Sequence, residues 1–301
     1  MNGYRARVAN RNGKHPIVFN VALGFKDRPV TVPCGQCIGC RLERSRQWAI
    51  RCSHEAQMYV DNSFITLTYD DEHLPTNGSL NLPDFQKFIK KLRKVGPFRY
   101  YHCGEYGEKT FRPHYHACLF GFDFPDKKLY KTTKHGHPLY NSELLDKKWG
   151  LGHAVIGEVT FESAAYCARY IMKKINGDQS EDHYSRDQID PETGEIKTIH
   201  LKPEYTTMSR NPGIGSGWME KFLSDVYPND FVVMNGKKMR PPKYYDGLYE
   251  ITSEDGAKIN KRKRRTAAKA HNENNTPDRL KAREEVQAAR LKQLPRNLEG
   301  H

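Results

Sequence analysis

Three short stretches hold residues whose types and spacing can do chemistry. The first is Arg112-Pro113-His114-Tyr115-His116, which runs into the apolar segment Ala117-Cys118-Leu119-Phe120-Gly121-Phe122. On a β-strand, alternate side chains share a face, so His114 and His116 point the same way with Cα atoms about 6–7 Å apart. Two imidazoles so placed can lean onto one divalent cation. The second is Ala164-Ala165-Tyr166-Cys167-Ala168-Arg169-Tyr170-Ile171-Met172-Lys173-Lys174, where Tyr166 and Tyr170 are i,i+4 neighbours on one helical face and Lys173 follows Tyr170 by one turn. A phenol titrates near 10 and attacks well only with help from a cation or base. Arg169, Lys173 and Lys174 offer that charge; an ordinary amphipathic helix with packing tyrosines is the competing reading. The third is Cys34-Gly35-Gln36-Cys37-Ile38-Gly39-Cys40. Thiolates two residues apart with intervening glycines can wrap a tetrahedral zinc, with Cys52 or His54 as fourth ligand. The alternative for these thiols is packing alone.

These residues need elements to hold them. Phe64–Tyr69, Phe98–Glu105, 113–122 and His153–Val159 read as strands, with Pro113 at a strand start. The second and third flank the turn Tyr106-Gly107-Glu108-Lys109 and form a hairpin, which brings Glu105 towards the two histidines. Two imidazoles and a carboxylate make a half-shell with positions left for water and a phosphate oxygen; His102, Glu108 and Asp70 are further candidates for the third ligand. Helices are expected over 84–95, with Phe85, Phe88, Ile89 and Leu92 as its apolar stripe, over 141–149, and over 162–175 with Ser163 as cap. Residues 41–59 read as an amphipathic helix whose Arg41, Arg44, Arg46 and Arg51 suit phosphate contacts. An excess of hairpins over βαβ units makes the class α+β.

Hydrophobic residues make up 37% of the 301 and aromatics 11%, enough for a core. No apolar run reaches the roughly 18 residues of a membrane span, and the first residues lack a signal peptide's apolar stretch, so a cytosolic protein is expected. Seven cysteines, an odd number, fit metal ligands or free thiols better than a disulfide framework. The net charge of +13 is concentrated at the two ends, where a polyanion such as nucleic acid is the natural partner. Residues 1–60 read as a basic N-terminal segment with the cysteine cluster, 61–250 as the core, and 251–301 as a basic, mobile tail containing Lys261-Arg262-Lys263-Arg264-Arg265. The glycine-rich Asn211–Gly217 lacks a Walker A ending, and no such loop occurs elsewhere, so nothing points to a built-in ATP-driven helicase.

A His-x-His strand followed some fifty residues later by Tyr-x3-Tyr-x2-Lys resembles the motif pair of the HUH endonucleases. The two-tyrosine form is similar to rolling-circle replication initiators of microviruses. Cys34–Arg41, Gly104-Glu105-Tyr106-Gly107 and Arg112–His116 resemble the gokushovirus type in particular, and the likeness covers about residues 30–230. Tyr115 stands where the generic pattern has an aliphatic residue. The resemblance implies a central antiparallel sheet with flanking helices, related to the RNA-recognition fold. It implies that His114, His116 and Glu105 hold Mg²⁺ or Mn²⁺, that Tyr166 and Tyr170 are nucleophiles, and that Lys173 stabilises charge. Partners would be a single-stranded DNA origin and a host helicase and polymerase, in the cytoplasm of a bacterial host, with Arg112 and the basic ends contacting DNA. A plasmid or mobile-element relaxase or transposase shares the chemistry; a non-enzymatic, zinc-stabilised nucleic-acid-binding protein is the other class.

Overall fold

The computed structural model describes residues 2–9, 15–107, 110–133, 136–169, 179–189 and 193–293. Strands β1 (Asn2–Ala6), β2 (Ile17–Val18) and β3 (Gly24–Thr31) make a small antiparallel sheet. Helix α1 (Ile38–Ala56) leads into β4 (Asn62–Tyr69), α2 (Leu82–Leu92) and the hairpin β5 (Arg99–Tyr106)–β6 (Pro113–Phe120). Next come β7 (Lys128–Thr132), β8 (Pro138–Asn141), α3 (Glu143–Trp149), β9 (Gly152–Gly157) and α4 (Phe161–Arg169). Beyond these lie α5 (Gln179–Tyr184), the hairpin β10 (Ser185–Ile189)–β11 (Ile196–His200), and β12 (Tyr205–Met208). Short helices α6 (Ser216–Lys221) and α7 (Leu223–Val226) precede the hairpin β13 (Val232–Met234)–β14 (Lys237–Met239). Helices α8 (Lys243–Thr252), α9 (Glu254–Lys269) and α10 (Pro277–Gln293) end the described chain.

The protein has an α+β fold. Among the described residues its main sheet has seven strands in the order β12-β5-β6-β4-β9-β8-β7, every neighbouring pair antiparallel. Period-two alternation divides this sheet into two cores. On one face Ile65, Leu67, Tyr115, Ala117 and Leu119 pack against Phe85, Phe88, Ile89 and Leu92 of α2 and Trp149 of α3. On the other, Phe64, Tyr101, Cys103, Cys118 and Phe120 meet Cys52 of α1 and Ala164, Tyr166, Cys167 and Ala168 of α4. Ser142 caps α3 by accepting from the Leu145 amide, and Gly150 closes it at φ 64°. The expected Ser163 cap lies two residues inside α4; its hydroxyl instead accepts from the Thr160 amide and donates to the Glu158 carbonyl.

The glycine-rich Asn211–Gly217 loop is a packing element. The Gly215 amide donates to Glu55 Oε2 at 2.6 Å, and at φ 80° a Cβ there would lie 2.5 Å from the Tyr245 hydroxyl. The C-terminal region, expected to be a mobile tail, is built as α9 and α10. Arg264 of α9 is clamped between Asp230 and Asp246, and α10 runs against α1.

Candidate metal centre and nucleophile

β6 is the third strand of the main sheet, hydrogen-bonded to β5 on one side and β4 on the other, with all eight residues buried. In the β5–β6 register Glu105 faces His114 and Cys103 faces His116. Directly opposed residues of an antiparallel pair share a face, so the hairpin delivers the carboxylate to the imidazoles. Glu105 Oε1 lies 2.9 Å from His114 Nε2 and 2.8 Å from His116 Nε2. The three donor atoms all fall within 4.8 Å of one another. Glu105 and His116 are fully buried, and the His114 side chain, 11% exposed, is the one nearest solvent.

The outer nitrogens of both rings are held. His114 Nδ1 lies 3.1 Å from the Arg112 carbonyl and His116 Nδ1 2.9 Å from Thr66 Oγ1. A carbonyl only accepts, so His114 carries its proton on Nδ1 and turns Nε2 inward, the orientation by which such partners preset a metal-ligating histidine. Burial pushes the Glu105 carboxyl up, but hydrogen bonds and charge from His114 and His116 outweigh it and hold the group below the usual carboxylate range. The centre is thus a carboxylate facing two inward nitrogens, which calls for positive charge between them. Donors about 2.1 Å from one ion at right angles stand about 3 Å apart, close to the spacing here, so the residues fit a divalent cation.

Tyr166 completes the cluster. Its ring meets that of His116 edge-on, centroids 5.1 Å apart, and the Arg169 guanidinium lies 5.9 Å from the tyrosine ring centre. The helix bearing it packs on α1, where Ser45 Oγ donates to the Ala165 carbonyl at 3.1 Å. Tyr170, Lys173 and Glu108 lie outside the described residues. Of the other candidates for the third ligand, His102 points to the opposite face, stacked on Phe85 at 3.3 Å, and burial together with His116 depresses its pKa well below normal. Asp70 turns back onto the His73 amide and ring, each at 2.8 Å.

Cys34, Cys37 and Cys40 form a second group, with Cys34 and Cys40 sulfurs 4.0 Å apart. Hydrogen bonds from the Cys37 and Gln36 amides lower the Cys34 thiol to about 7. Cys52 does not join them. It follows Cys40 by twelve residues along one continuous helix, about 18 Å of rise, and is buried in the α1–α4 core. His54 is equally remote from them, stacked on Trp218 at 3.5 Å and bonded to the Tyr245 hydroxyl at 3.0 Å.

Several arginines expected at a nucleic-acid surface are occupied inside the protein. Arg51 is sandwiched between Trp48 and Tyr244, each ring centre 4.0 Å away, and donates to the Ile214 carbonyl. Arg46 binds Glu43 through two nitrogens and the Arg240 carbonyl through a third. Arg264 is held by its two aspartates, Lys261 pairs with Glu250 at 3.0 Å, and Arg112 pairs with Asp71 and the Tyr69 carbonyl. Arg44, Arg262, Lys263 and Arg265 are exposed. A charge count cannot tell these cases apart. The only hint for Arg51 is its setting between Ile50 and Cys52, on the face α1 buries.

The family model for replication-associated protein ORF2 matches residues 62–175, a span that contains both the His pair and Tyr166. The chain is 38% identical over 229 residues to replication-associated protein VP4 of Bdellovibrio phage phiMH2K, covering 72% of this chain and 67% of that protein. It is 34% identical over 242 residues to replication-associated protein ORF2 of Spiroplasma virus 4, covering 75% and 69%, and 27% identical over 235 residues to replication-associated protein ORF4 of Chlamydia phage 1, covering 74% and 55%. No solved structure matches. The protein belongs to this family of microvirus replication-associated proteins. Among the described residues no helix is long and apolar enough to cross a membrane.

Proposed function

We propose that this protein initiates rolling-circle replication by nicking single-stranded DNA at an origin through a tyrosine. The observation that carries this reading is the placement of Tyr166 edge-on against His116, beside the convergent Glu105 and His114. Glu105, His114 and His116 would hold Mg²⁺ or Mn²⁺, which when bound supplies Lewis-acid polarisation of the scissile phosphate. A tyrosine oxygen attacks phosphorus and the bond from phosphorus to the 3′ oxygen breaks. The phenol gives up its proton as the leaving oxygen acquires one. The products are a 5′-phosphotyrosine and a free 3′-hydroxyl for a polymerase. Tyr166 and Tyr170 divide two successive attacks between them, with Lys173 stabilising charge. Arg44, Arg262, Lys263 and Arg265 carry phosphate contacts. Unwinding and synthesis fall to a host helicase and polymerase, consistent with a chain that has no Walker A loop.

An origin oligonucleotide labelled at one end or the other and incubated with Mn²⁺ tests this. The 3′-labelled fragment should migrate with the protein and the 5′-labelled fragment should be released. Tyr166→Phe/Tyr170→Phe should give no adduct. Both fragments released free, or a nucleotide mapped to another residue, would refute the mechanism.

A further inference from the structure

The cysteine cluster takes no part in the proposed chemistry, and its geometry bears on what it binds. Tetrahedral Zn–S bonds of about 2.3 Å put thiolates about 3.8 Å apart. The Cys34 and Cys40 sulfurs are 4.0 Å apart, and all three lie within 4.8 Å of one another. An iron–sulfur cluster, with several metal atoms between its thiolates, would hold them farther apart. A disulfide would need sulfurs at about 2.05 Å.

The surrounding chain is shaped for a negatively charged thiolate set. Gly35, at φ 76°, turns the loop back on itself, and the Cys37 amide points at Cys34 Sγ from 3.2 Å. Cys37 is also the N-cap of the 19-residue α1, so the helix presents its unpaired amides and positive dipole end to the sulfurs. The guanidinium of Arg44 lies beside the same turn, 3.7 Å from where a Cβ on Gly35 would stand. Three thiolates and a divalent ion carry a net charge of −1, which the helix end and Arg44 offset.

We propose that Cys34, Cys37 and Cys40 bind one zinc ion with water in the fourth position, stapling the start of α1. Among the described residues no fourth His, Cys, Asp or Glu joins the group. Solvent can reach it, since Cys37 is exposed and the other two are partly so. The staple fixes the helix on which α4 and its tyrosine rest.

Full-length protein purified from zinc-supplemented cells should contain about one tightly held zinc per chain. Cys37→Ser/Cys40→Ser should lose it and melt several degrees lower, whereas His114→Ala/His116→Ala should keep it. Cobalt exchanged into the wild-type protein should show thiolate-to-metal charge-transfer absorption, a readout that stands even if the cysteine variants fail to fold. X-ray absorption of the zinc form should give three sulfurs and one lighter atom. A cobalt spectrum without thiolate bands, a fourth sulfur, or zinc unchanged in folded cysteine variants would overturn the site.

Discussion

Glu105 carries more consequence than its neighbours because both histidines turn their Nε2 atoms to a single one of its oxygens. Glu105→Gln keeps the shape and removes the charge. We expect metal-dependent nicking to fall at least about a hundredfold, with DNA affinity changed by less than about threefold. Equal nicking rates in the two proteins would remove Glu105 from the centre. His54 offers a pH test away from that site. Burial pushes its pKa from 6.5 down to about 3, so protonation favours the unfolded chain. The stability this neutral ring confers is complete above about pH 6.5 and is lost as pH falls towards about 3, at up to about 1.4 kcal/mol per pH unit. Denaturant unfolding between pH 7.5 and 5 should show this slope in the wild type, and His54→Phe, which keeps the stack on Trp218, should flatten it. Parallel pH profiles for the two proteins would contradict the assignment.

At the level of elements, β9 lies against β4 and leads directly into α4, so its register helps set where Tyr166 stands. Gly152 opens β9 at φ 141°, and a Cβ there would lie 2.3 Å from the Asp70 amide nitrogen and 2.4 Å from the Thr68 carbonyl oxygen. Backbone cannot yield as a side-chain tip can. Gly152→Ala should therefore cost about 3 kcal/mol or more and depress nicking along with the melting temperature; an unaltered melting curve would disprove the constraint. The elements that set the centre were legible in the sequence. The His strand, its hairpin partner and the carboxylate opposite all followed from period-two alternation and one turn, and the Asn235-Gly236 turn marked β13–β14. The edge strands were not. Lys128–Thr132 and Tyr205–Met208 are short and mostly polar, and they become strands only because a neighbour offers a free ladder. Cys52 was misread for a related reason: spacing along the chain does not reveal that one unbroken helix separates it from the other thiols.

For the whole molecule, what matters is which positive charges face outward. Arg264 holds α9 to the body through Asp230 and Asp246, all three less than about a fifth exposed. Arg264→Met should lower stability by about 2–3 kcal/mol by leaving two carboxylates uncompensated, while the salt dependence of DNA binding stays as it was. The triple change Arg262→Ala/Lys263→Ala/Arg265→Ala should do the reverse. It should leave the melting temperature in place and reduce the log–log salt slope for single-stranded DNA by about 2, at roughly 0.7 for each phosphate no longer neutralised. The paired measurement separates cations that build the molecule from those that meet a polyanion; a salt slope unmoved by the triple change would exclude this helix from the interface.

The ligand strand β6 is bounded by strands on both edges, and its eight residues are all buried. Its amides have no nearby end from which to fray, so they open to solvent only when the sheet itself comes apart. In a hydrogen–deuterium exchange experiment the amides of His116, Ala117 and Cys118 should be among the last to exchange, at rates near those of global unfolding. The metal-ligating side of the reaction is then a rigid anvil. Whatever movement lets two successive strands be cut and rejoined has to come from the DNA and from the helix that carries the tyrosine.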